Sequence, residues 1–156
     1  MMQNIRSLAL FLIVVVGGGI IIGVVTAPGA WYADLIKPPF NPPNWVFGPV
    51  WTVLYICIAI AGWRIWLRQP GGWVLKLWAA QLALNFIWSP TFFSAHRMDI
   101  ALGIIILMLI TIIAFIVKAR SQDALAALLF LPYAAWVAFA AILNGALLYL
   151  NTPIPV

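Results

Sequence analysis

Eight basic and three acidic residues divide this chain, and they fall in clusters: Arg6; Asp34 and Lys37; Arg64, Arg68 and Lys76; Arg97 and Asp99; Lys118, Arg120 and Asp123. Between the clusters lie charge-free windows at 7–33, 38–63, 77–96, 100–117 and 124–156. A helix that crosses the hydrocarbon of a bilayer needs about 20 apolar residues. Each window is close to that length, so the pattern predicts five transmembrane helices in a single all-α domain covering residues 1–156. No length remains for a soluble domain. Charged residues are 7% of the chain. A water-soluble domain carries about a quarter, so this chain cannot clothe a water-facing surface.

The charges also predict orientation. If the helices alternate, one side carries Arg6, Arg64, Arg68, Lys76, Lys118 and Arg120, and the other carries only Lys37 and Arg97. The positive-inside rule then places the N-terminus in the cytoplasm and the C-terminus outside. A bacterial inner membrane is the default for such a bundle, with an outer membrane as the alternative. The net charge of +5 sits in loops rather than in one patch, so it does not point to nucleic acid. The single cysteine, Cys57, lies in an apolar window and allows no internal disulfide. Residues 8–27 are long enough to span, so the N-terminus reads as a helix and not as a secretory signal.

The predicted helices cover about 5–26, 45–67, 73–93, 100–117 and 122–151. The first contains Gly19-x-x-x-Gly23, a spacing that permits close helix approach and is read as packing within the bundle. The first loop, about 28–44, holds Pro28, Pro38, Pro39, Pro42 and Pro43 with Trp31, Tyr32 and Phe40. Proline restricts its own φ and the residue before it, so this loop is stiff, and it reads as a lid or an interfacial anchor. Pro49 falls in the first turns of its helix, where a missing N–H costs little. Pro90 should bend or end the third helix. The fourth helix is almost pure Ile, Leu and Met and is expected to face lipid. Ser121 or Asp123 can cap the fifth, and Pro132 should kink it.

The polar content excludes several classes of function. No charge lies deep in any window, and proton relays and coupled transporters need buried ionisable groups. There is no glutamate, and His96 is the only histidine, so a metal centre of three or four protein ligands is not expected. No catalytic residues are identified. His96 reads as a solvated loop residue.

Helical spacing does group the uncharged polar and aromatic residues. Gln81, Asn85, Trp88 and Phe92 share one face, as do Trp51 and Tyr55, and as do Tyr133, Trp136, Ala140 and Asn144. An unpaired amide in hydrocarbon costs several kcal/mol, so Gln81, Asn85 and Asn144 must turn inward. They either bind helices together or aim donors at a ligand. With alternating helices, Trp51, Trp88 and Trp136 all reach the half of the bilayer beneath the first loop. Trp45, Trp63, Trp66, Trp73 and Trp78 lie near helix ends and are expected at the membrane–water interface. Aromatic walls, a few amides, the small Ala140 and no charge describe a site for a flat, largely apolar molecule.

Three blocks of sequence then resemble a known family. The first is Trp31-Tyr32, Leu35-x-Lys37-Pro38 and Asn41-Pro42-Pro43-x-Trp45-x-Phe47-x-Pro49-Val50-Trp51-Thr52-x-Leu54-Tyr55. The second is Gln81-Leu82-Ala83-Leu84-Asn85-x-x-Trp88-Ser89-Pro90-x-Phe92-Phe93. The third is Pro132-Tyr133-x-x-Trp136-x-x-Phe139-Ala140 with Leu143-Asn144. Together they look like the signature of the tryptophan-rich sensory proteins. Those are bacterial relatives of the mitochondrial translocator protein, also called the peripheral benzodiazepine receptor.

The resemblance implies a five-helix bundle, often a homodimer, that binds porphyrins such as protoporphyrin IX and haem beneath its first loop. Trp31, Tyr32, Pro42, Trp51, Tyr55, Asn85, Trp88, Trp136 and Ala140 match lining positions, and the helical phase adds Asn144. Ala79-x-x-x-Ala83 would serve the dimer. No cofactor is obligatory; the porphyrin is the ligand. Animal members follow the Leu-Asn pair with an aromatic and an arginine that recognise sterol, but here Gly145 to Asn151 holds no basic residue. The function expected is a porphyrin-binding sensor without turnover of its own. The alternatives are a porphyrin transporter and a light-dependent degrader of porphyrins.

Overall fold

The computed structural model describes residues 2–152, with side chains from Asn4 onward. Residues 153–156, which close the last apolar window and carry the C-terminus, lie outside the described residues. The described residues are helical almost throughout, with no strand among them.

The first rod is α1 (Met2–Leu12), a π-helical turn at Ile13–Gly17, and α2 (Gly18–Val25). A short helix, α3 (Ala30–Asp34), begins the first loop, and α4 (Asn44–Arg68) follows it. Next come α5 (Trp73–Ser89), a second π turn at Pro90–Ser94, and α6 (Met98–Ala119). The chain ends in α7 (Ala124–Leu129) and α8 (Leu131–Asn151). Among the described residues, four helical segments are long and apolar enough to cross a membrane: Asn4–Val25, Asn44–Arg68, Met98–Ala119 and Ala124–Asn151. The expected third span falls short on helical length, because α5 is 17 residues before Pro90 changes the hydrogen-bond pattern to the π form.

The prolines act where their chemistry predicts. Pro43 precedes α4, and Pro49 is carried inside it without a break. Pro132 lies in the first turn of α8, and the chain departs from helix at Phe130. There the Phe130 amide donates to the Ala127 carbonyl at 3.2 Å, a tightened turn.

One core runs between α4, α5, α6 and α8. Ile58 and Ile65 share it with Met108, Ile112, Phe115, Phe130, Tyr133 and Val137. The rings of Phe115 and Phe130 sit 4.0 Å apart. The expectation that the fourth predicted helix merely faces lipid is overturned. Ala101, Ile105, Met108, Ile112 and Phe115 of α6 are buried, and this helix packs extensively on α5 and α8. A helix apolar all round carries no periodic signal, so its buried stripe cannot be told from its lipid face. Trp78 is a second correction. Its ring is 8% exposed, and its indole N–H donates to the Ile58 carbonyl at 2.8 Å. Gly62 makes room for it: a Cβ there would overlap the Trp78 ring. By contrast Trp45 and Trp73 are largely exposed, as interfacial tryptophans are.

At the end opposite the first loop, Asp123 organises the turn before α7. Its carboxylate caps the helix by accepting from the Ala126 amide at 3.0 Å. It also meets Arg64 at 2.9 Å and Arg68 at 3.2 Å. Ser121 instead donates to the Lys118 carbonyl and takes no part in the cap. Burial disfavours the charged form of Asp123. Hydrogen bonds from Arg64, the Ala126 amide and Arg68, with the charge of Arg64, more than offset that, and its pKa lies below the ordinary value. A carboxyl whose folded pKa is depressed stabilises the fold above its ordinary range near 4 and loses that contribution as pH falls through the lowered value. Thermal unfolding in detergent should therefore show an acid-sensitive step in the wild type that Asp123→Asn abolishes. Asp123→Asn should cost about 1–2 kcal/mol near neutral pH, because half-exposed Arg68 is screened by water. Asp123→Ala should cost about 1 kcal/mol more, since asparagine keeps the helix cap and alanine does not.

Candidate ligand-binding cavity

The bundle encloses a cavity of about 590 Å³ at the end that carries the first loop. No charged side chain is among its lining residues. From α2 come Gly19 and Gly23; from α4, Phe47, Trp51 and Tyr55; from α5, Asn85, Trp88 and Ser89. Trp136, Ala140, Leu143 and Asn144 of α8 form the far wall, and Tyr32 of α3 roofs it.

The aromatic walls are held by one another. Trp51 stacks on Tyr55 with centroids 5.3 Å apart and meets Tyr133 edge-on at 6.3 Å. Trp88 stacks on Phe92 at 5.3 Å. Trp136 is wedged between Phe47 and Phe139, at 5.8 and 5.6 Å. Such pairs fix ring orientation and each contribute about 0.5–1.5 kcal/mol beyond the area they bury.

The floor is a chain of polar side chains. The Tyr55 hydroxyl donates to Asn85 Oδ1 at 3.0 Å, and Asn85 Nδ2 donates to the Tyr133 hydroxyl at 3.0 Å. The Tyr133 hydroxyl then donates to Met108 Sδ at 3.3 Å. This chain joins α4, α5, α8 and α6. A second link lies nearer the lid: Trp88 Nε1 donates to Asn144 Oδ1 at 3.3 Å, and Asn144 Nδ2 donates to the Met98 carbonyl at 3.0 Å. Asn85 and Asn144 border the cavity, and each gives one N–H donor to a neighbouring helix. Gln81, on the same face as Asn85, is fully buried away from the cavity and donates to the Trp78 carbonyl at 2.8 Å. Trp136 Nε1 is enclosed with no acceptor among the described residues.

The lid is pinned at several points. The Tyr32 hydroxyl donates to Asn41 Oδ1 at 3.1 Å, and its ring packs edge-on against Phe92 and Phe93. Burial raises the Tyr32 pKa, an effect its hydrogen bond to Asn41 partly offsets. The Lys37 ammonium donates to the carbonyls of Tyr32, Ala33 and Leu35 and lies 4.9 Å from the centre of the Tyr32 ring. Asn151, at the end of α8, clamps the loop backbone. Its Oδ1 accepts from the Ile36 amide at 2.9 Å, and its Nδ2 donates to the Ile36 carbonyl at 3.0 Å.

The structure brings Tyr32, Trp51, Tyr55, Asn85, Trp88, Trp136, Ala140 and Asn144 around this one cavity. Trp31 and Pro42 are not in its lining. Trp31 stacks on the His96 ring at 4.1 Å and meets Phe92 edge-on. Pro42 lies in the turn beyond Tyr32, where its carbonyl accepts from Asn41 Nδ2. Adjacent residues of one short helix point in different directions, so Tyr32 and Trp31 cannot both face inward. Sequence reasoning missed the wall supplied by α2. That segment has almost no polar atoms, and the Gly19–Gly23 spacing was its only signal. Gly19 admits the Tyr55 ring, which a Cβ would overlap.

A profile of the TspO/MBR family matches residues 10–150. The chain belongs to that family. It is 38% identical over 129 residues to the tryptophan-rich sensory protein of Cereibacter sphaeroides, covering 83% of this chain and 82% of the relative. It is 39% identical over 155 residues to the tryptophan-rich protein TspO of Archaeoglobus fulgidus, covering 96% and 99%. It is 41% identical over 120 residues to the human translocator protein, covering 73% and 70%. This TspO/MBR protein is accordingly an integral, multi-pass membrane protein.

Asn85 is the joint on which the cavity floor turns. Asn85→Leu leaves the Tyr55 hydroxyl unpaired and the Tyr133 hydroxyl with only its bond to Met108, and should cost about 2–4 kcal/mol, about 1–3 kcal/mol for the unpaired group and about 1 kcal/mol for the lost bond. Tyr55→Phe removes one interhelical bond and should cost only about 0.6–1 kcal/mol. Denaturation of both variants in detergent micelles, against the wild type, measures the difference.

Proposed function

We propose that this TspO/MBR protein binds a porphyrin, such as protoporphyrin IX or haem, in the aromatic cavity and acts as a membrane sensor without turnover of its own. The observation that carries the reading is the shape and chemistry of the cavity. It holds about 590 Å³, has no charge, and is faced by three tryptophans with rings fixed by neighbouring aromatics. Cavities of about 300–1,000 Å³ suit small organic ligands, and a flat conjugated ring gains most where indole faces can stack on it. The name of the Cereibacter sphaeroides relative, a sensory protein, favours a signalling role.

In this reading the chain is a single five-span domain, with α5 and the π turn after it forming the third span. The basic residues near Asp123 support a cytoplasmic position for that end of the bundle and the N-terminus, in a bacterial inner membrane. The lid and cavity then face outward. Ala79 and Ala83 lie one turn apart on an exposed face of α5 and form the contact of a homodimer. Ala83→Trp should convert the dimer to a monomer, as read by sedimentation in detergent.

Protoporphyrin IX titrated into purified protein should quench tryptophan fluorescence and red-shift the porphyrin absorption. Trp51→Phe and Trp136→Phe should each weaken binding about 2–10-fold, the equivalent of about 0.5–1.5 kcal/mol of stacking. Trp31→Phe should leave affinity within about twofold, since that ring stacks on His96 outside the cavity. Unchanged affinity in both cavity variants would remove the site from the porphyrin reading.

A further inference from the structure

The cavity is open on one side only, and the exposed members of its lining locate that side. They are Ile20, Gly23, Val24 and Pro28 on or just after α2, and Asn44, Gly48 and Thr52 in the first half of α4. Every lining residue from α3, α5, the turn after it, and α8 is buried or half-buried. The water-facing end is shut by Tyr32, which is 5% exposed, and by the Asn151 clamp on the loop.

The helices diverge along this side for a reason. α1 and the π turn pack on α4, whereas α2 packs on α5. Gly18 lies against the Phe86 ring, and the Thr26 and Ser89 hydroxyls are 2.6 Å apart. Because the Thr26 hydroxyl donates to the Ile22 carbonyl at 2.8 Å, the Ser89 hydroxyl is the donor to Thr26. The π turn at Ile13–Gly17 marks the change of direction, as π turns redirect a helix. Below the slit, Gly19 against Tyr55 closes the two helices together. Above Gly19, both Gly23 and Gly48 have open space where a Cβ would stand.

We infer that this slit between α2 and α4 is a lateral portal through which the ligand passes between the cavity and the bilayer. At about 1.5 Å of rise per residue, Gly48 and Thr52 lie about 6 and 12 Å from the start of α4. Trp45, 75% exposed, marks the interface just above them. The portal therefore faces the headgroup–acyl boundary and the outermost hydrocarbon. Its rim is apolar apart from Asn44 at the start of α4 and Thr52, whose hydroxyl is tied to the Gly48 carbonyl at 2.9 Å. The ligand class it admits is a membrane-dissolved, largely apolar molecule, flat enough to pass edge-on between two helices. A water-dissolved polyanion would meet no cation on this route.

The portal rests on the cavity being a binding site, and one experiment separates the two claims. Wild type, Gly23→Leu, Gly48→Leu and Asn151→Ala are reconstituted in lipid nanodiscs and mixed with protoporphyrin IX, and tryptophan quenching is followed by stopped flow. Both leucines extend into open space on helices that favour leucine over glycine, so their thermal midpoints should equal or exceed the wild type. Each should slow association and dissociation together by about tenfold, while Asn151→Ala should leave both rates as they are. Wild-type rates in both leucine variants, or faster association in Asn151→Ala, would overturn the portal and place entry at the lid. Lost affinity without slower dissociation would also overturn it and make the glycines part of the binding surface. No quenching in the wild type would overturn the porphyrin reading itself.

Discussion

An amide inside an apolar bundle must find its partners there, because no water is available to it. In this protein Asn85 is that amide, and much of the cavity depends on how it is paired. Its oxygen accepts from Tyr55 and its nitrogen donates to Tyr133, which reaches on to Met108. Four helices are thus joined at one level. The pairing also sets the two tyrosine rings, and Trp51 takes its orientation from both. A polar necessity in one helix so becomes the geometry of an aromatic wall in another.

The second constraint is the close approach of rings to glycine. Tyr55 can sit beneath the cavity only because Gly19 has no Cβ, and Trp78 reaches the Ile58 carbonyl only because Gly62 has none. Both contacts draw helices together at chosen heights. Above the Gly19 contact α2 turns toward α5, leaving room beside α4. Packing at one level and divergence at the next produce a cavity without any helix being missing.

The lid is a different kind of element, held by hydrogen bonds more than by burial. Lys37 satisfies three carbonyls around the end of α3, and Asn151 pairs with both polar groups of the Ile36 backbone. The proline-rich stretch that follows cannot supply many amide donors of its own. Side chains do that work, and they tie the loop to the last turn of α8.

Much of the cavity was legible along the chain. The spacings of Trp51 with Tyr55, of Asn85 with Trp88, and of Trp136 with Ala140 and Asn144 each mark one face of a helix, and those faces meet. Legibility failed wherever the distinction lay within apolar residues. The buried stripe of α6 is invisible among Ile, Leu and Met, and the wall from α2 is marked only by glycines. Trp78 near a helix end looked interfacial but is packed against Gly62. Trp31 and Tyr32 were adjacent candidates, yet only Tyr32 faces the cavity.

Charge placement and apolar length alone determined that the chain crosses a membrane and is helical, since transferring charge or unpaired backbone into hydrocarbon is prohibitive. The same cost turned Gln81, Asn85 and Asn144 inward. Only the tertiary structure decided where those amides spend their hydrogen bonds, which helices touch, and on which side the cavity lies open. Those outcomes depend on the fit of rings against glycines and on the pairing of groups from different helices. In an apolar sequence such contacts differ in shape and not in polarity, so no periodicity records them.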